Sequence, residues 1–135
     1  MNLVSTRIIT ENVDVLVEFY EKVTGINVIR YTPDFVQLKT ENATLAIGST
    51  KTLQFFGGDE VTKANYNKSS IIEFWVEDVD QVFEKLTPFL NDCVVQKPTV
   101  MPWGNKSMLF RDPDGNLVNF FTPMSKDAIA RLQEK

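Results

Sequence analysis

Arg7 and Glu73 are the two charged residues whose positions best suit a ligand site or a catalytic site. Each lies in a β-forming segment, and the two are separated by 66 positions. Side chains alternate across a strand, so Arg7 shares a face with Ser5, and Glu73 shares the matching face of a later strand with Trp75. The pair either forms an ion pair that holds two sheets together or orients a polar ligand, with Glu73 as a candidate general base.

Aromatic side chains supply the other candidate ligand contacts. Trp75 and Trp103 are the two tryptophans, and Trp103 lies in a loop-like stretch, residues 101–104. Aromatic walls with a few polar groups are typical of pockets for organic ligands, although both indoles could instead fill the core. The predicted ligand-binding residues are Arg7, Phe35, Phe56, Glu73, Trp75, Met101, Trp103 and Asn119.

The residue types that are missing narrow the chemistry. The chain has no histidine, which excludes Ser-His and Cys-His nucleophile pairs and every histidine-ligated metal site. Cys93 is the one cysteine, so no disulfide can form within the chain. The N-terminus lacks the basic start and apolar run of a signal peptide, and we expect a cytoplasmic protein.

Charge and hydropathy exclude two classes of partner. Fourteen basic residues stand against 18 acidic ones, the net charge is −4 and the pI is about 4.8. An acidic chain is not attracted to nucleic acid or to anionic lipid. No apolar stretch approaches the roughly 20 residues that span a bilayer. We therefore expect neither nucleic acid nor a membrane as a partner.

The elements that would position the candidate residues occur twice. A β-rich segment, residues 5–10, precedes a helical stripe that begins after Asn12 and ends at Gly25, and its apolar positions are Val13, Leu16, Val17 and Tyr20. A second β-rich segment, residues 70–76, precedes a stripe 66 positions further on, with Asp78 as its N-cap; its positions are Val79, Val82, Phe83 and Leu86. Repetition at half the chain length indicates a duplicated unit.

The rest of each half reads as strands joined by polar turns. The chain is long enough for one real core and too short for two independent ones. We therefore predict one α+β domain over residues 1–135, built from two βαβββ modules at residues 1–50 and 70–124. A linker or flap, residues 51–69, joins the modules, and a helix follows at residues 125–135.

Two longer motifs resemble the vicinal oxygen chelate superfamily, the group that contains glyoxalases, bleomycin-resistance proteins and extradiol dioxygenases. They are NVDVLVEFYEKVTG at residues 12–25 and MPWGNKSMLFRDPDGNLVNF at residues 101–120. The resemblance implies paired βαβββ modules whose curled mixed sheets form a cleft, often completed by dimerisation, and we expect a homodimer. The sequence looks most similar to the bleomycin-resistance-like branch, in which metal-free dimers sequester planar cationic antibiotics.

The resemblance also indicates where a metal would bind. Metal-dependent members use a residue on the first strand and one near the last strand of each module, usually His, Glu or Gln. In this chain those positions fall near Ser5, Ala46, Ile71 and Asn119. A hydroxyl, a methyl group, a sec-butyl group and an amide make a poor ligand set. We therefore expect no metal and no other cofactor.

Three roles follow from the resemblance, and one of them is an interaction domain that has lost its ligand site. The first is metal-independent binding of a small aromatic or cationic molecule, which suits an acidic protein with exposed aromatic rings. The alternative is a glyoxalase-like lyase or isomerase that uses Glu73 as a base or a divalent metal. The identity of the ligand, the presence of catalysis, and the pairing of modules within one chain or between two chains are open at this point.

Overall fold

A computed structural model describes residues 1–134 of the chain. The first half contains β1 (Ser5–Thr10), α1 (Val13–Thr24), β2 (Ile29–Thr32), β3 (Phe35–Lys39) and β4 (Thr44–Ser49), followed by a short 3₁₀ helix, Thr50–Phe56. The second half contains β5 (Ile71–Trp75), α2 (Val79–Leu90), a 3₁₀ turn (Asn91–Cys93), β6 (Val94–Val100), β7 (Asn105–Arg111), β8 (Leu117–Pro123) and α3 (Lys126–Gln133). The predicted C-terminal helix includes Lys135, which lies outside the described residues.

The two halves share one topology, which confirms the predicted α+β fold of two βαβββ modules. Sheet one has the strand order β1-β4-β3-β2, and sheet two has the order β5-β8-β7-β6. In each sheet the first strand pairs in parallel with the last strand of its own module, and the remaining pairs are antiparallel. A helix connects the first strand to the meander because parallel strands need a long crossover.

The helices α1 and α2 begin where the sequence predicts, and α1 also ends at the predicted glycine. The Asn12 side chain accepts a hydrogen bond from the Val15 amide, and the Asp78 side chain accepts one from the Gln81 amide. Each bond satisfies an amide that has no partner inside the first turn of its helix. Gly25 ends α1 at a φ of +71°, a left-handed conformation that glycine adopts without steric cost.

Each module has its own apolar core between its helix and its sheet. The predicted stripe of α1 is buried, together with alternate side chains of β3 and β4; these residues are Val13, Leu16, Val17, Tyr20, Val36, Leu38, Leu45 and Ile47. In module two the buried set is Val79, Leu86, Leu90, Met108, Phe110, Val118 and Phe120. Since the helices cover one face of each sheet, residues of opposite parity lie on the other face.

The chain divides into two compact units. One comprises Met1–Asn67 and Pro113–Gly115, and the other comprises Lys68–Asp112 and the chain from Asn116. The predicted linker at residues 51–69 starts within the 3₁₀ helix, where Leu53 is buried. Among residues 1–134, no helix is long and apolar enough to cross a membrane.

Candidate functional site

The open face of sheet one, opposite α1, carries the first group of predicted ligand-binding residues. The strand register places the side chains of β1, β3 and β4 on this face in three rows: Ser5, Arg7 and Ile9; Phe35, Gln37 and Lys39; Thr44, Ala46 and Gly48. Arg7 and Lys39 are cationic, and none of these nine side chains is acidic.

Arg7 lies between two aromatic rings on this face. Its guanidinium carbon is 4.4 Å from the centre of the Phe35 ring and 5.2 Å from the centre of the Phe56 ring. Phe35 is in turn stacked on Tyr31, with ring centres 5.7 Å apart, and the Tyr31 hydroxyl lies 3.2 Å from Gln37 Oε1. The structure therefore brings Arg7, Phe35 and Phe56 together, as a stack that Tyr31 extends.

The open face of sheet two, opposite α2, carries the second group. Its defining side chains are Ile71, Glu73 and Trp75 on β5, Leu117, Asn119 and Phe121 on β8, and Ser107, Leu109 and Arg111 on β7. Glu73 and Asn119 lie side by side in the parallel register, and Asn119 Nδ2 donates a hydrogen bond of 2.8 Å to Glu73 Oε2. Trp75 is 58% exposed and does not fill the core.

One hydrogen-bond acceptor of Asn119 has no partner within the described part of the chain. The residue is only 8% exposed, and among residues 1–134 its Oδ1 atom is buried with no hydrogen-bond partner. A buried acceptor without a donor costs about 1–3 kcal/mol. The orientation of the amide follows from Glu73, because the opposite orientation would place Oδ1 against the carboxylate. A buried acceptor and an exposed carboxylate therefore lie next to each other.

Met101 and Trp103 lie in the turn between β6 and β7. Met101 is half-buried, and Trp103 is 58% exposed, so this indole is not in the core either. The Trp103 carbonyl accepts a hydrogen bond from the Arg131 guanidinium of α3, and the Gly104 carbonyl accepts bonds from the Met124 and Ser125 amides. These bonds fix the turn against the chain that enters α3.

The ion pair between Arg7 and Glu73 stays a prediction. Within its own unit, Arg7 stacks on the two phenylalanine rings, and within its own unit Glu73 accepts a bond from Asn119. The turn between β7 and β8 contains Asp112, which accepts bonds from the Asn116 backbone and side chain. Cys93 is exposed at the end of the 3₁₀ turn.

A cavity of about 420 Å³ lies elsewhere in the first unit, next to the segment that follows β4. It contains none of the predicted ligand-binding residues, and acidic and basic groups both border it. Lys63 lies 5.6 Å from the Tyr66 ring centre at this cavity. The lining residues are Glu11, Thr50, Leu53, Asp59, Thr62, Lys63, Ala64 and Tyr66.

The positions at which metal-dependent relatives hold their ion do not suit a metal here. Ala46 is buried and has no donor atom, Ile71 is apolar, and Ser5 and Asn119 each offer only one neutral oxygen. Among residues 1–134, no three His, Cys, Asp or Glu side chains are grouped so that they could hold an ion. A divalent cation needs several oxygen, nitrogen or thiolate donors, which these side chains do not provide.

Sequence reasoning did not find Tyr31 or Gln37 as part of the Arg7 stack. The alternation on β3 places Gln37 on the same face as Phe35, which was a usable signal. Tyr31 was harder to place because the register between β2 and β3 shifts between Arg30 and Thr32. The unpartnered oxygen of Asn119 had no sequence signal, since it depends on the orientation of one amide.

Comparison with known proteins identifies the family. The family model described as the glyoxalase-like domain matches residues 3–125. The chain belongs to the glyoxalase-like domain family. Its membership of the vicinal oxygen chelate superfamily, expected from the motifs at residues 12–25 and 101–120, is thereby confirmed. No curated protein matches the chain at a significant level.

Solved structures share the glyoxalase-like fold. A glyoxalase/bleomycin resistance protein/dioxygenase from Nocardioides is 16% identical with a TM-score of 0.76, over 93% of this chain and 85% of that one. A family enzyme of the same description from Burkholderia phytofirmans PsJN is 17% identical with a TM-score of 0.78, over 92% and 100%. A structure described as a conserved domain protein is 27% identical with a TM-score of 0.73, over 93% and 100%.

Proposed function

We propose that this chain is a metal-independent small-molecule binding protein of the bleomycin-resistance-like branch, which sequesters an aromatic organic cation as a cytoplasmic homodimer. The observation that carries the proposal is the exposed carboxylate of Glu73 on the open face of sheet two. Asn119 holds this carboxylate by one hydrogen bond. An exposed carboxylate attracts a positively charged donor.

The carboxylate supplies the charge. Asn119 occupies only Oε2 of Glu73, and a carboxylate accepts further bonds at its other lone pairs. A ligand ammonium or amidinium group satisfies this acceptor with a charge-assisted hydrogen bond. The net charge of −4 adds attraction at longer range.

Trp75 supplies the aromatic surface. It lies two residues beyond Glu73 on β5, on the same face of sheet two, and more than half of it is exposed. The face of an indole ring attracts a cation by about 0.5–2 kcal/mol and stacks on planar rings. Met101 and Trp103, in the turn between β6 and β7, are proposed as further apolar contacts.

The direct experiment measures the affinity of the full chain for benzamidinium and for neutral benzamide by calorimetry. We expect the cation to bind at least about tenfold more tightly, because only the cation pairs with Glu73. Glu73→Gln should reduce that preference to near unity. Glu77→Gln is the matched control, since it removes the same charge from an exposed position that follows β5.

Equal affinity for the two probes, or equal loss in both variants, would show that Glu73 does not recognise the cation. The recovered probe is also analysed for chemical change. An unaltered probe supports sequestration, whereas turnover that Glu73→Gln abolishes would replace binding by catalysis with Glu73 as the base.

A further inference from the structure

We propose that the open face of sheet one binds an aromatic carboxylate, with Arg7 as the residue that recognises the anion. None of the residues that β1, β3 and β4 place on this face is acidic, and the ligand is opposite in charge to the cation proposed for sheet two. It goes beyond the function proposed above and does not depend on it.

Arg7 already occupies the position over the Phe35 and Phe56 rings that a ligand cation would take. Its guanidinium lies 4.4 Å from the Phe35 ring centre and 5.2 Å from the Phe56 ring centre. A second cation that approached the same rings would be repelled by Arg7. The charge of this face therefore selects an anion.

The guanidinium of Arg7 keeps its hydrogen-bond donors available for a ligand. The contacts with the two rings are cation–π contacts, and they satisfy none of the five N–H donors of the guanidinium. Within the described residues of its own unit, Arg7 forms no ion pair and no hydrogen bond. The guanidinium edge is thus open to a carboxylate, whose two oxygens match two parallel N–H groups.

The aromatic stack holds the Arg7 guanidinium in place before a ligand arrives. Phe35 is supported by Tyr31, and the Tyr31 hydroxyl is within hydrogen-bond distance of Gln37. Beneath the Arg7 stem, β4 has Gly48; a Cβ atom there would lie 3.6 Å from Arg7 Cδ and 3.2 Å from Thr52 Oγ1. An arginine fixed in this way loses little conformational entropy when it binds.

Exposed aromatic rings beside Arg7 favour an anion that carries an aromatic ring. Tyr31 and Phe56 are both more than half exposed, at 52% and 56%. A planar ring attached to the carboxylate can stack on these exposed rings while its carboxylate meets the guanidinium edge. Inorganic phosphate would satisfy the charge but would cover none of the aromatic surface.

The test compares benzoate, benzamide and inorganic phosphate by calorimetry on the full chain at low ionic strength. We expect benzoate to bind at least about tenfold more tightly than benzamide, and phosphate to bind more weakly than benzoate. Arg7→Met should lower the benzoate affinity by about tenfold or more. Arg30→Gln is the matched control, since Arg30 is an arginine of the same unit that pairs with Asp14.

A second variant, Phe56→Leu, tests the aromatic part of the site. Phe56→Leu keeps an apolar side chain and removes one ring of the stack, so it should weaken benzoate binding. It should leave the weaker binding of phosphate, which contacts no ring, unchanged. Equal binding of benzoate and benzamide, or equal loss in Arg7→Met and Arg30→Gln, would overturn the proposal.

Discussion

The nitrogen and the oxygen of the Asn119 carboxamide differ in their hydrogen bonding. Its nitrogen donates to Glu73, and its oxygen is buried with no partner among residues 1–134. The amide thus requires a carboxylate on one side and leaves an acceptor on the other. An aspartate at this position would keep the shape and remove the donor.

Asn119→Asp should therefore destabilise the fold at neutral pH. Repulsion between two carboxylates would replace the 2.8 Å hydrogen bond. Because Glu73 is exposed to water, which screens the repulsion, we expect a loss of about 1–2 kcal/mol in the free energy of unfolding. Urea denaturation measures this loss. It should shrink on acidification, because protonation of either carboxylate ends the repulsion.

The double variant Glu73→Gln with Asn119→Asp is the control. It restores an amide next to a carboxylate, and it should recover most of the lost stability. If the single and double variants are equally unstable, the loss has another source than repulsion between the two side chains.

At the residue scale, the sequence predicts which face a side chain occupies and does not predict its partner. Alternation along β1 and β5 places Arg7, Glu73 and Trp75 away from the helices, as the structure has them. The contacts of Arg7 with Phe35 and Phe56 depend on rotamers and on the path of the chain after β4. Neither property is visible in the spacing of residues.

At the scale of elements, α3 is tied to the turn between β6 and β7 by a close approach at Gly104. This glycine has a φ of +96°, and its carbonyl accepts bonds from the Met124 and Ser125 amides. A Cβ atom at this position would lie 2.1 Å from Ser125 Oγ. Any side chain would push apart the turn and the start of α3.

Gly104→Ala should cost more stability than its conformation alone explains. Gly58→Ala is the matched control, because Gly58 has a similar φ of +106° and a Cβ atom there would meet nothing within 4 Å. We expect the control to lose about 1–2 kcal/mol from backbone strain and Gly104→Ala to lose at least about 1 kcal/mol more from overpacking. Urea denaturation compares the two, and equal losses would contradict this account.

The elements that the sequence predicts well are those with a strong period. The helical stripes of α1 and α2 and their caps, Asn12 and Asp78, coincide with the structure because packing and local hydrogen bonding favour the same boundaries. The strand β6 has no such period. It contains Pro98, and its register with β7 shifts twice, so its side chains do not alternate regularly.

At the scale of the whole molecule, composition and donor chemistry predict a protein that holds no metal. Native mass spectrometry of the purified full chain should show a dimer mass without a bound divalent ion. Addition of Zn²⁺ or of a chelator should leave the melting temperature unchanged, since Ser5, Ala46, Ile71 and Asn119 make a poor ligand set. A stoichiometric ion that survives dialysis, or a monomer mass at micromolar concentration, would contradict the corresponding half of this prediction.

The exposed thiol of Cys93 makes the native sequence suitable for labelling at one point. The chain has no other cysteine, so a maleimide dye attaches there without any substitution. Cys93 precedes β6, which is three strands away from β5 in sheet two, a separation of roughly 14 Å. A fluorophore at that edge can therefore report events near Trp75 by energy transfer from the indoles while leaving the ligand surface untouched.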